Sequence, residues 1–331
     1  MVRLRRFGLF FLVFLAVMLL GLGCTNPLPP LEGGTLVSYR WNAATEKEEI
    51  ILIKPTTGSV EIKATLNVND PKWIMESGFA VDSANDKVYQ FGEKDEEEAW
   101  RIYTTDLTVP TSTNVIFSEY GTGGFGFDSY KKDELIGFRW NAATEQQEII
   151  SIDPTGGSVT GIKATLGVND PKGIDPLGFA VDSANDKAYL YGQKEGESFS
   201  RIYTIDLGVG TWDGVPFLEE GTGGFGFDVY KTGTLIGYRW NATTEKVEII
   251  SIDPTTGSVT GVKAALGVND PKGISPSGFA VDSANDKAYL YGQKEGESFS
   301  RIYTIDLGIG IWESVLFYGE GDGGFGFDVY K

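Results

Sequence analysis

The side chains of this chain that could carry out chemistry are carboxylates, amides and aromatics, because it contains no histidine. Without an imidazole there is no Ser-His or Cys-His nucleophile pair, no histidine metal site and no ordinary near-neutral general base. The single cysteine, Cys24, directly follows an apolar run. What remains for catalysis is carboxylate chemistry of the glycosidase kind, which needs one Asp/Glu pair roughly 5–9 Å apart.

The most regular carboxylates are Asp82, Asp128, Asp182, Asp228, Asp282 and Asp328, each ending a Gly-Phe-x-x-Asp segment. An Asp at a tight turn accepts hydrogen bonds from backbone N–H groups just ahead of it. One such residue at every equivalent place predicts a structural role, since catalysis needs an asymmetric pair. The functional alternative is a carboxylate ring holding a cation at a channel mouth, where oxygen ligands would suit Ca²⁺. No Asp-x-Asp-x-Asp-Gly loop accompanies it, so neither a metal nor a cofactor is expected. Asn85-Asp86, Asn185-Asp186 and Asn285-Asp286 read as hairpin turns. The segment from Gly121 to Gly126 superficially matches a phosphate loop, but neither a helix nor Gly-Lys-Ser/Thr follows. It reads as a tight entry into a crowded strand.

Aromatics give the sharper hypothesis. Trp41, Trp140 and Trp240 each stand between an Arg and an Asn, at the end of an expected strand. Three further segments carry Asn69, Asp70 and Lys72; Asn169, Asp170 and Lys172; and Asn269, Asp270 and Lys272. Exposed Trp beside amide and carboxylate groups can stack on a sugar ring or anchor a protein. The plainer alternative is that each Trp packs over its own hairpin while the polar residues are solvated.

A repeat supplies the elements that must hold these groups. Residues 132–231 and 232–331 align without a gap and differ at 20 of 100 positions, and residues 32–131 form a more divergent copy with a one-residue slip near its start. Each copy contains Gly-Phe-x-x-Asp twice, at alternating spacings of 46 and 54 residues, followed by short strands between turn signals. In the last copy the strands are expected at 278–282, 287–292, 301–307 and 314–318; in the other half-repeat, at 324–328, 235–240, 248–253 and 258–266. Four strands per 46–54 residues is the size of a propeller blade. The first copy begins at a second strand and the last ends on a first strand. The expected fold is therefore all-β: a six-bladed β-propeller with four strands per blade, its ring closed by the C-terminal strand joining the N-terminal blade. Closure removes sheet edges that invite aggregation. Three separate β domains would instead leave incomplete modules at both ends.

These residues resemble a known group. The recurring Val-Asp-Ser-Ala-Asn-Asp-Lys-x-Tyr-x-x-Gly and Ile-Asp-Pro-Thr-x-Gly segments look like blades of bacterial envelope propellers of the TolB-like, NHL and YWTD-type superfamily. The resemblance covers residues 34–331 and implies architecture more than function, since the group includes scaffolds, lectin-like binders and enzymes. Val88–Phe91 and Ala188–Tyr191 stand where a YWTD motif would be but lack its Trp-Thr-Asp, so no YWTD-specific role carries over.

Ahead of the repeats, Arg3, Arg5 and Arg6 precede an apolar run from Leu9 to Leu22. That run is short for a membrane span, which needs about 20 apolar residues, and residues 1–23 read as a signal peptide. Cys24 at its end resembles a bacterial lipobox, which implies lipidation there. The usual Leu three places before the Cys is Gly21, and Gly21-x-Gly23 also fits ordinary signal cleavage. Residues 24–33, with Pro27, Pro29 and Pro30, read as a stiff tether. The net charge of −18 becomes −21 without the three leader arginines, which disfavours nucleic acid and anionic lipid as partners. The expectation is a monomer in the cell envelope, facing periplasm or exterior. Its only membrane contact would be the lipid anchor. It would be no enzyme, and would bind a protein or glycan through one loop face. A carboxylate-only enzyme acting on extracellular polymer and a structural surface component are the alternatives.

Overall fold

The computed structural model describes residues 34–330 apart from positions 69, 72, 95, 96, 98, 122–124, 219–224, 232, 272 and 319–325. The expected signal peptide, Cys24 and the tether lie outside the described residues. So do Asn69, Lys72 and Lys272.

Among the described residues every regular element is a β-strand, and the strands group into six four-stranded antiparallel sheets. Blade 1 contains β1 (Thr35–Asn42), β2 (Lys47–Lys54), β3 (Ser59–Val68) and, from the other end of the chain, β24 (Phe327–Tyr330). Blade 2 is β4 (Trp73–Asp82), β5 (Lys87–Glu93), β6 (Trp100–Asp106) and β7 (Thr111–Ile116). Blade 3 is β8 (Phe125–Tyr130), β9 (Glu134–Asn141), β10 (Gln146–Asp153) and β11 (Ser158–Val168). Blade 4 is β12 (Gly173–Asp182), β13 (Lys187–Gln193), β14 (Ser200–Asp206) and β15 (Trp212–Phe217). Blade 5 is β16 (Phe225–Tyr230), β17 (Thr234–Asn241), β18 (Lys246–Asp253) and β19 (Ser258–Val268). Blade 6 is β20 (Gly273–Asp282), β21 (Lys287–Gln293), β22 (Ser300–Asp306) and β23 (Trp312–Phe317).

This is the expected six-bladed β-propeller, closed as the two termini require. β24 pairs with β1 over Thr35↔Tyr330 to Ser38↔Phe327, so blade 1 takes its inner strand from the far end of the sequence. The Tyr330 hydroxyl also donates to Asp86 of blade 2. The first strands of successive blades contact one another around the axis.

Alternating side chains send apolar residues to both faces of each blade, so the core is six clusters, one between each pair of neighbours. Close approach at the axis explains the glycines of the first strands. A Cβ on Gly126 would stand 2.7 Å from the Phe138 ring and 2.8 Å from the Ser77 carbonyl oxygen.

Two local readings change. β20 begins at Gly273 rather than at Gly278, because its register resumes beyond a bulge between Ile274 and Phe279. The slip in the first copy is also located. β10 and β11 shift register between Ser151 and Ile152, whereas β2 and β3 pair Leu52 with Glu61 and Ile53 with Val60 without a shift. The residue missing from the first copy is thus a β-bulge at Thr160, present again in β19.

Candidate functional site

Turns and links divide the propeller into two ends. One carries the links between blades and the turns between second and third strands. There the Asn169 N–H donates to the Glu145 carbonyl at 3.0 Å, and Asn269 to Glu245 at 2.9 Å. The link therefore lies against the turn that follows the Arg-Trp-Asn strand, and the candidate residues that are described share one end of the propeller.

Each Trp is half-buried, neither exposed nor enclosed. Trp240 packs against the cluster between blades 5 and 6, as does Trp312. Trp41 lies on the strand face of Val37 and Tyr39, directed toward blade 2. On the opposite face of the same strands is an ion-pair network that the sequence reading missed. Arg40 Nε donates to Glu49 Oε2 at 2.8 Å while Asn42 Nδ2 donates to Glu49 Oε1 at 2.9 Å. Arg139, Glu148 and Asn141 repeat it at 2.9 and 2.8 Å, and Arg239, Glu248 and Asn241 at 3.0 and 2.8 Å. These glutamates are only 4–8 % exposed, so both oxygens must be satisfied, and they are. Each Asn then accepts the backbone N–H of Ala44, Ala143 or Thr243, which fixes the turn beyond the Trp.

The acidic residues of the links are committed internally. Tyr103, Tyr203 and Tyr303 donate their hydroxyls to Asp70, Asp170 and Asp270 at 2.5, 2.7 and 2.5 Å. Lys194 and Lys294 pair with Asp170 and Asp270 at 2.7 and 3.3 Å, and Lys94 stands 4.0 Å from Asp70. Burial, reinforced by the bond to Asp, pushes the three tyrosine hydroxyls far above their usual range. Asp70, Asp170 and Asp270 each precede a cis proline. Lys172 is exposed and pairs with Glu195. Asn169 and Asn269 adopt left-handed backbone with φ of 51°, at the tip of each link.

The six first-strand aspartates divide into two kinds, an asymmetry the common motif conceals. Asp82 and Asp282 cap their own turns, taking the N–H of residues 84 and 85 or 284 and 285, and Asp182 takes that of Asn185; Asp282 in addition takes the Gly34 N–H just ahead of β1 at 3.1 Å. Asp128, Asp228 and Asp328 instead cross to the next blade, accepting from Val181, Val281 and Val81 at 3.0, 2.8 and 3.2 Å. These three converge on the axis. They line a cavity of about 770 Å³ opening at the end opposite the tryptophans, and a deeper one of about 120 Å³ walled by phenylalanines such as Phe79 and Phe179. Burial first, then the charges of Asp328 and Asp228, push Asp128 up to about 8. Among the described residues no group of three or more Asp, Glu, His or Cys has the arrangement to hold a metal ion.

No family model matches the sequence, and no curated protein matches it. Solved structures do. A chain of the nidogen–laminin complex overlaps with a TM-score of 0.53 at 13 % identity, covering 90 % of this chain and 100 % of that one. The β-propeller domain of the trilobed protease from Pyrococcus furiosus gives 0.47 at 14 % identity, covering 86 % and 92 %. TolB from Acinetobacter baumannii gives 0.40 at 13 % identity, covering 87 % and 54 %. At these identities the likeness is one of fold: the chain is a β-propeller.

Proposed function

We propose that this protein is a non-catalytic scaffold, anchored in the cell envelope through Cys24, which binds a protein or glycan partner at the end carrying Trp41, Trp140 and Trp240. One observation carries this reading. The same constellation, a half-buried Trp backed by a fully hydrogen-bonded Arg-Glu-Asn network, occurs three times at one end of the ring. A Trp held in place loses little side-chain entropy on contact, which favours its use as an anchor. With the link aspartates satisfied internally, Lys172, Asn169 and Asn269 supply the polar rim. One neighbour with a TM-score above 0.5 comes from a nidogen–laminin complex, a use of the fold that agrees with a protein partner.

The test is capture by residues 34–331 of envelope proteins and of arrayed glycans, repeated with Trp41→Ala, Trp140→Ala and Trp240→Ala combined. Capture by the native protein and its loss in a folded variant is the expected result; undiminished capture removes the assignment. Incorporation of labelled fatty acid into the full chain, abolished by Cys24→Ala, tests the anchor separately.

A further inference from the structure

The seam between blades 1 and 2 carries polar residues at three buried positions that are apolar in one or both of its equivalents. β2, β5 and β6 send Glu48, Gln90 and Thr105 into it, from the strand faces that also carry Ile50, Val88 and Tyr103. At the same places the seam between blades 3 and 4 has Gln147, Leu190 and Ile205, and that between blades 5 and 6 has Val247, Leu290 and Ile305. The last three belong to a single apolar cluster, so the three positions adjoin one another across the seam.

Glu48 is 5 % exposed, and Gln90 and Thr105 are 0 % exposed. Oε2 of Glu48, both amide atoms of Gln90 and Oγ1 of Thr105 have no hydrogen-bond partner; at the equivalent positions of the other two seams, only Oε1 of Gln147 shares that condition. A buried polar atom without a partner forfeits its hydration and gains nothing in exchange. The three seams thus form a graded series within one molecule, from three polar residues to one to none.

The titratable and charged groups around Glu48 do not compensate it. Tyr39 comes from β1. Tyr103 comes from β6 and is bonded to Asp70, which Lys94 approaches. Glu49 faces the other way, in its pair with Arg40. Burial, with the charge of Glu49 adding to it, holds the Glu48 carboxyl up at about 8.

We propose that the seam between blades 1 and 2 is a proton-linked opening point of the ring, closed while Glu48 carries its proton and parting to admit water as that proton is lost. Opening hydrates Glu48, Gln90 and Thr105 together, whereas the seam between blades 5 and 6 gains nothing by opening. A solvated Glu titrates near about 4.3, so the open population should rise by up to about tenfold per pH unit between about 4 and about 8, then level off. The proposal concerns the ring itself and does not depend on what the tryptophan end binds.

Hydrogen exchange read by mass spectrometry on the full chain tests it. β18 and β21 of the same molecule serve as the reference for β2 and β5, because the pH dependence of intrinsic exchange cancels between equivalent strands. The expected result is faster exchange in β2 and β5, an excess that grows from pH 5 to pH 8, and intermediate protection in β10 and β13. Glu48→Gln should abolish the growth with pH while leaving the excess. Glu48→Val with Gln90→Leu and Thr105→Ile, the residues of the third repeat, should bring the seam to reference protection. Equal protection of the three seams, or a pH-dependent excess that persists in Glu48→Gln, overturns the proposal.

Discussion

Asp128 offers the most direct test of how the channel carboxylates behave, because with no histidine few groups titrate between pH 5 and pH 8. Asp128 is raised to about 8 in the fold, against about 3.9 for an unperturbed Asp. A raised carboxyl pKa means that the folded protein binds a proton the unfolded chain releases. The associated stability is therefore complete below about pH 4 and is lost as pH rises through about 8. The slope is about 1.4 kcal/mol per pH unit, or about 4 kcal/mol between pH 5 and pH 8. Asp128 borders the open cavity, and water there screens the charges, so about 2 kcal/mol is the realistic figure. Asp128→Asn cannot titrate. It also presents an N–H₂ to either the Val181 or the Ser129 N–H, at a cost of about 1–3 kcal/mol that does not vary with pH. Urea denaturation of both proteins from pH 5 to pH 8.5 separates the two effects. The variant should be the less stable at pH 5, and the gap should narrow or reverse by about 2 kcal/mol at pH 8.5. Parallel curves would refute the reasoning, since they would mean that Asp128 is ionised in the fold throughout.

The other outcomes rest on packing and hydrogen bonds. Tyr330→Phe removes the bond to Asp86 that ties the closing strand to blade 2, and should lower unfolding free energy by about 1–2 kcal/mol in urea melts; no change would show that backbone pairing alone closes the ring. Gly126→Ala places a methyl within 2.7 Å of Phe138 and should cost about 1–3 kcal/mol, whereas Gly161→Ala, with nothing within 4 Å, should be neutral or slightly stabilising. For any partner captured, each single Trp→Ala change at positions 41, 140 and 240 should weaken binding by about 2 kcal/mol, roughly thirtyfold, in titration calorimetry. Equal losses at the three sites are expected for a ligand contacting all of them.

The architecture was legible because it follows from counting. Six Gly-Phe-x-x-Asp segments and complementary ends dictate a closed ring whatever the details of each strand. The site was less legible, for reasons of register. Asp70 and Tyr103 are 33 residues apart, and only the pairing of β5 with β6 and the course of the link bring them together. The Arg40–Glu49 pair could have been found, since opposite charges nine residues apart fit a hairpin with a four-residue turn. The shared Gly-Phe-x-x-Asp pattern of the six aspartate segments concealed two roles. What separates them is the residue pair on either side: Ala-Val before and Ser-Ala after Asp82, Asp182 and Asp282, against Gly-Phe before and a continuing strand after Asp128, Asp228 and Asp328. A reading by motif alone averages over that difference.

The same division explains where the ring can part. In each odd-to-even seam an aspartate crosses at the axis, and a tyrosine beside it reaches the next turn: Asp128 to Val181 with Tyr130 to Asp186, Asp228 to Val281 with Tyr230 to Asp286, and Asp328 to Val81 with Tyr330 to Asp86. All three seams are thus fastened alike at the channel. The unmatched groups of the first seam lie farther out, beginning with Glu48 directly opposite Trp41 in the β1–β2 pair. Opening there should hinge at the axis and spread from the tryptophan end, leaving the fastening by Asp328 and Tyr330 in place. Weakening that fastening with Tyr330→Phe should then raise exchange in β24 and β1 while leaving the pH dependence of β2 and β5 unchanged. A change in that pH dependence would mean that the channel contacts and Glu48 act as one unit, and the hinge would have to be placed elsewhere.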